Sequence, residues 1–164
     1  MENEQQENPQ MAMKGGRQPY IKLLVMLVLS FISMYILMYA MVDSLKNVYP
    51  NINQFYMASL MTMPMMIIEL VLMGKMYLNK KLNAFLIALS SVALIVFFLL
   101  IQYQTAVSDK QFLKGMIPHH AAAILMSEQS KTNDPEIKNL QKEIISSQQK
   151  EINFMRKKLR KMEE

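Results

Sequence analysis

Hydrophobic and polar positions are segregated along this chain rather than interleaved. Leu23 to Val42 carries no charge, Phe55 to Met73 carries only Glu69, and Leu82 to Tyr103 again carries none. Each run approaches the roughly 20 residues that a helix needs to cross a bilayer core of about 30 Å. The pattern predicts membrane helices over about Ile21 to Val42, Phe55 to Leu78 and Leu82 to Tyr103. They are joined by a loop, Asp43 to Gln54, punctuated by Tyr49-Pro50-Asn51, and by a tight basic turn, Asn79 to Leu82. The first run is too long for the apolar part of a signal peptide and follows a polar stretch, so it reads as a retained helix. Residues 1–20 are rich in Glu, Gln and Asn, lack apolar periodicity and predict a disordered tail.

Beyond the transmembrane region, residues 21–103, the pattern becomes that of an extramembrane helical hairpin, residues 104–164. Pro118 suits a first helical turn and predicts a helix from there to about Ser130. Asp134 as N-cap, with Pro135 at the first helical position, predicts a second helix to about Met162. In that helix Ile137, Leu140, Ile144, Gln148, Glu151, Met155 and Met162 fall near one stripe. Gln148 and Glu151 are polar where leucine would be expected.

Charge and composition then narrow the chemistry. The net charge of +5 raises the question of nucleic acid, but the basic residues sit at membrane edges and along one polar helix face, so no nucleic-acid partner is expected. Lys14, Arg17, Lys22, Lys75, Lys80 and Lys81 flank the side shared by the N-terminus and the second turn; Lys46, Lys110 and Lys114 flank the other. That bias predicts a multi-pass protein of the cell membrane, with a cytoplasmic N-terminus and a periplasmic or extracellular hairpin. The run from Arg156 to Lys161 is expected to lie well beyond the membrane end. With no cysteine, disulfides and thiolate metal sites are excluded, and any soft-metal chemistry must use thioether sulfur, of which 18 Met offer a supply.

The segment richest in chemistry is Met116-Ile117-Pro118-His119-His120, followed by Met126. On a helix Met116, His119 and His120 stand at i, i+3 and i+4, so sulfur and imidazole share a face that Met126 continues. Thioether favours Cu(I), and imidazole serves several metals and oxidation states. Glu151 and Met155, one turn apart on the facing helix, are the nearest further ligands, with Gln148 as a hydrogen-bond partner behind them. The plain alternative is a solvated His pair beside packing methionines. Two features weigh against it: these are the chain's only histidines, and polar residues interrupt the stripe on the helix that must face them.

The run Asp109-x-x-Phe112-x-x-x-Met116-Ile117-Pro118-His119-His120-x-x-Ala123-x-x-Met126, followed by Ile144-Ile145-x-x-Gln148-x-x-Glu151-Ile152-x-x-Met155, resembles domain of unknown function family 305 over about residues 105 to 162. The resemblance implies a ferritin-like helical fold and, by analogy with its CopM-type members, copper binding. Carried over by position, it implies ligand roles for Met116, His119, His120, Met126 and Met155, and also for Asp109 and Glu151. Some relatives hold two such hairpins where this chain has one. The expected fold is therefore an all-α membrane protein whose hairpin is a ferritin-like half-bundle completed by oligomerisation, a homodimer or higher.

A second constellation lies in the membrane helices. Met34, Met38 and Met41 stand at i, i+4 and i+7 on the first, and Met57, Met61, Met65, Glu69, Met73 and Met76 form a stripe along the second. Methionine alone packs well against lipid or a neighbouring helix. Glu69 changes the weighing, because an intramembrane carboxylate marks an ion site, a pathway or a buried partner such as Tyr35 or Tyr39. Pro64 frees a backbone carbonyl within the same helix. Three spans with a Met-x-x-x-Met element also resemble the Ctr copper permeases, although the expected orientation is opposite and their Gly-x-x-x-Gly motif is replaced by Ala84-x-x-x-Ala88. Glu-x-x-His pairs for a di-iron site, a phosphate-binding glycine loop and a nucleophile with its base are absent. Haem with His and Met ligands finds no specific support.

The expected function is non-enzymatic: a membrane-anchored protein of the cell envelope that binds copper, as Cu(I) or Cu(II), or silver, for capture, buffering or tolerance. A copper transporter or channel with a Met/Glu-lined pathway, and a structural oligomer without metal, stay open as alternatives.

Overall fold

The computed structural model describes residues 9–163, with side chains from Gly16 onward. Among these residues it is entirely helical: α1 (Pro9–Leu37), α2 (Ile52–Leu72), α3 (Lys80–Gln102), α4 (Asp109–Gln129) and α5 (Pro135–Lys161), with 3-10 turns at Met38–Met41 and Leu45–Asn47. Three segments are long and apolar enough to cross a membrane: Gly16–Met41, Ile52–Leu72 and Lys80–Gln102.

The expected elements are present, with shifted boundaries. α1 starts at Pro9, so much of the stretch expected as a disordered tail is helical. Once a long apolar helix exists, adding further turns avoids the cost of nucleation. Residues 1–8 of that expected tail lie outside the described residues. α2 stops at Leu72 rather than near Leu78, and Asn79 then caps α3 by accepting from the backbone N–H of Leu82 at 3.0 Å. α4 starts at Asp109, not at Pro118, because Ser108 caps it, its side chain accepting from Gln111. Pro118 thus sits mid-helix, where it forfeits one backbone bond. Burial of Leu113, Ile117, Ala121 and Ile124 on both sides of it holds the helix together.

The described residues form two compact units. One comprises the described residues up to Met34 together with Ala58–Leu99; the other comprises Tyr35–Met57 and the described residues from Leu100. The first is organised around Leu23, Leu70 and Tyr77, with Tyr20, Met66 and Leu86 packed against them. Tyr20 lies 5.2 Å from Tyr77, centroid to centroid, and its hydroxyl donates to Asn83 at 2.6 Å. Asn83 in turn donates to the Tyr77 carbonyl at 2.9 Å, so a buried amide fixes the turn between α2 and α3.

The second unit is built on the α4–α5 hairpin. Asp134 caps α5 as expected, accepting from Glu136 and Ile137 with Pro135 in the first turn. The core is Leu113, Ile117, Ala121 and Ile124 of α4 against Ile152, Met155 and Leu159 of α5. Ile117 and Ile152 are wholly buried, each contributing about 1.5–3 kcal/mol. The expected stripe on α5 is buried in part: Met155 is in the core, flanked by Ile152 and Leu159, while Ile137 and Leu140 are exposed.

The hairpin also folds back at its open end. Lys110 pairs with Glu163 at 3.2 Å, and Arg156 donates to the buried Asn47, which itself donates to Asp43 at 2.6 Å. Arg156, the first residue of the Arg156 to Lys161 run, therefore lies beside the loop that follows the first apolar helix. Val42 and Tyr49 of that loop pack on the hairpin core.

Candidate metal centre

Three helical segments of the second unit, with Gln104 of the α3–α4 linker, line one cavity of about 330 Å³. The first is the 3-10 turn that ends the first apolar helix. In this tighter helix residues i and i+3 eclipse, so Met38 and Met41 stand above one another on one side. The second is the start of α2, where Asn51 is the N-cap, accepting from Gln54 N–H at 2.9 Å, and Met57 follows in the second turn. The third is α4, which supplies Met116 and His119 at i and i+3. Four thioethers and one imidazole thus share a cavity with the amides of Asn51, Asn53, Gln54 and Gln104.

Local geometry holds these segments in register. Gln111 of α4 accepts from the first N–H of α2, that of Ile52, at 3.0 Å. Tyr39 donates to the Tyr49 carbonyl at 2.8 Å, closing the loop behind Met38 and Met41. Gln104 has a left-handed backbone, φ 48°, and accepts from the Asn53 side-chain amide at 2.9 Å. The Asn53 carbonyl oxygen is buried without a hydrogen-bond partner. An unpaired buried acceptor of this kind costs free energy unless something electropositive completes it.

The two histidines have different surroundings. His119 is exposed and lines the cavity. His120 is buried, and both its ring nitrogens are engaged: Nδ1 with the Met116 carbonyl at 2.8 Å and Nε2 with Glu151 at 2.6 Å. A carbonyl only accepts, so Nδ1 is the donor to Met116, and Nε2 faces the Glu151 carboxylate. His120 therefore ties α4 to α5 and fixes the turn that carries Met116 and His119. The expected equivalence of the two imidazoles reflects their adjacency in sequence; consecutive helix positions differ by about 100° in direction.

The other anticipated ligands are dispersed. Met155 is in the hairpin core, and Glu151 is occupied by His120. Met126 is exposed two helical turns past His119, about 10 Å along the axis. Asp109 is exposed in the first turn of α4, a similar distance before Met116. Of the membrane-helix methionines, Met38 and Met57 join the cavity, and Met34, Met61 and Met65 do not line it. Thr62 makes a weak contact with the Met34 sulfur at 3.9 Å. Met41, noted only as part of a helical row, belongs to the cavity, as does Asn53; the 3-10 tightening that brings Met41 in has no sequence signal.

Glu69, expected to pair with Tyr35 or Tyr39, instead accepts a hydrogen bond from Tyr77 at 3.1 Å. Burial and the Glu69 carboxylate push the Tyr77 phenol up to about 12. Among the described residues no three His, Asp or Glu side chains are grouped to hold a metal. The cavity is lined instead by four methionines and one histidine, together with amide side chains.

The family described as Domain of unknown function (DUF305) matches residues 98–159, the end of α3 and nearly all of the hairpin. The chain belongs to this family. Within the DUF305 segment lie Met116, His119, His120 and Glu151; Met38, Met41 and Met57 lie before it. A relative from Acanthamoeba polyphaga mimivirus, uncharacterized protein L153, is 38% identical over 136 residues, covering 81% of this chain and 88% of the relative. That alignment is longer than the DUF305 segment, so the likeness extends into the three apolar helices. No solved structure matches the chain.

Proposed function

We propose that this protein is a membrane-anchored binder of a soft metal ion, Cu(I) first and silver with it, held in the cavity of Met38, Met41, Met57, Met116 and His119. The observation that carries the reading is the gathering of four thioethers and one imidazole from three segments into one cavity. Thioether sulfur discriminates toward Cu(I) and against hard cations, and the absence of a carboxylate from the lining acts in the same direction. The Asn53 carbonyl, buried without a partner, supplies a dipole that favours a cation. The role we infer for it is capture, buffering or delivery of the ion.

Anchoring follows from the three apolar segments and their surfaces. Leu24, Ile36, Val71, Phe85 and Val92 are each exposed, which suits hydrocarbon and not water. We place the N-terminus in the cytoplasm and the hairpin outside, on the basic flanks enumerated above. The Arg156 to Lys161 run is remote from the spans in sequence, and the positive-inside bias acts through residues near a span as it inserts. A homo-oligomer, in which two hairpins complete a ferritin-like four-helix bundle, would cover Met126, Ile137, Leu140 and Phe154, all exposed in the single chain.

Titration of the purified chain with Cu(I), Ag(I), Zn(II) and Ni(II), followed by elemental analysis, tests the reading. It requires retention of copper and silver; zinc held in preference to copper would remove it.

A further inference from the structure

The first unit contains a second feature, unrelated to metal chemistry. A groove of about 670 Å³ runs between α1 and the turn that opens α3, lined by Gly16, Arg17, Tyr20, Leu24, Leu78 and Asn79, among others. Its walls are of two kinds. Leu24 and Leu78 are exposed, at 62% and 73%, and form an apolar floor. Arg17 stands at the same groove beside the polar Asn79.

The polar groups of the groove are unequally satisfied. Tyr20 is spent on Asn83 and on the Asn79 carbonyl, and the Asn79 side chain caps α3. Lys80 donates to the Gly74 carbonyl at 3.0 Å. Arg17 forms no ion pair among the described residues. Around it the described part of this unit carries Lys22, Lys75, Lys80 and Lys81 against a single carboxylate, Glu69, which faces Tyr77. A guanidinium at one side of an apolar groove, in a net positive surrounding, is complementary to an anionic head on an apolar tail.

We propose that this groove is a binding site for an anionic membrane phospholipid, whose phosphate is held by Arg17 and whose acyl chain lies over Leu24 and Leu78. The proposal rests on the membrane anchoring argued above. A Cβ placed on Gly16 meets nothing within 4 Å, so a larger side chain there would enter open space without a clash. Gly16→Leu therefore blocks the site sterically with charge unchanged, and Arg17→Gln removes the charge with the shape nearly unchanged.

The full-length chain, extracted in mild detergent, is exchanged into nanodiscs of phosphatidylcholine or of phosphatidylcholine with phosphatidylglycerol, and co-purifying lipid is counted by native mass spectrometry after release. Phosphatidylglycerol is expected to be retained over phosphatidylcholine, and both Arg17→Gln and Gly16→Leu should reduce that retention by about fivefold or more. Arg17→Lys should restore part of it. Retention unaffected by both variants, equal retention of the two lipids, or displacement of the lipid by millimolar inorganic phosphate would overturn the proposal. Resistance of the wild-type chain to alkaline carbonate extraction is measured in parallel. Its loss would fail the anchoring itself, and would be seen before any difference between lipids.

Discussion

Truncating each histidine separately tests the division of labour between two adjacent imidazoles. His119→Ala removes an exposed ring, so its effect on stability should fall within about 0.5 kcal/mol. His120→Ala removes a buried ring engaged at 2.8 Å and 2.6 Å. A charge-assisted hydrogen bond contributes about 1.5–3 kcal/mol. The Glu151 side chain is 56% exposed and rehydrates when abandoned, which lowers the expected cost to about 1–2 kcal/mol. In hydrogen exchange on the intact protein, this corresponds to roughly 5- to 30-fold faster exchange of the protected amides of α4. Glu151→Ala should match it, and the double variant should fall short of the sum because the two groups share one interaction. Copper affinity should show the reverse order. His119→Ala is expected to weaken Cu(I) binding about tenfold or more, while His120→Ala, with both nitrogens already engaged, should change it much less. Loss of copper binding in His120→Ala with full binding in His119→Ala would refute the assignment.

Other consequences can be checked with the same protein. Met57→Leu and Met41→Leu conserve volume and should each lower Cu(I) affinity about tenfold, whereas Met61→Leu should not, as read by competition with a chromogenic chelator. Ile117→Ala deletes the centre of the hairpin core and should cost about 2–5 kcal/mol, measured as loss of α4 and α5 exchange protection. Arg156→Ala leaves the buried Asn47 amide short of a partner, and the loop from Val42 to Pro50 should exchange faster while α5 itself stays protected. Tyr77 is raised from the ordinary tyrosine value of 10.0 to about 12, so its neutral phenol contributes stability that is complete below pH 10 and is lost as pH rises through about 12. Absorbance titration at alkaline pH should show late ionisation that is reduced by one phenol in Tyr77→Phe.

Much of the fold was legible in the sequence because it is written in periodicities that local physics reads directly. Three charge-poor runs give three long apolar helices, and Asp134-Pro135 starts α5 where it was expected. The failures share a cause. Pro118 reads as a helix start because proline suits that position, yet burial of residues on either side of it outweighs the lost bond. The stripe on α5 is buried at Met155, with Ile152 and Leu159 beside it, and exposed at Ile137 and Leu140, since how far burial extends along a helix depends on its partner. At the candidate site, Met116 and His119 were legible from spacing on one helix. Their meeting with Met38, Met41 and Met57 was not, because it depends on a 3-10 turn and on contacts such as Gln111 to Ile52, between residues far apart in sequence.

The central claim is that thioether sulfur, with one imidazole, surrounds the ion. X-ray absorption at the copper edge of the Cu(I)-loaded, full-length chain measures this directly. A first coordination shell dominated by sulfur, with a nitrogen contribution that disappears in His119→Ala, is the predicted result; a shell of nitrogen and oxygen alone would contradict the account.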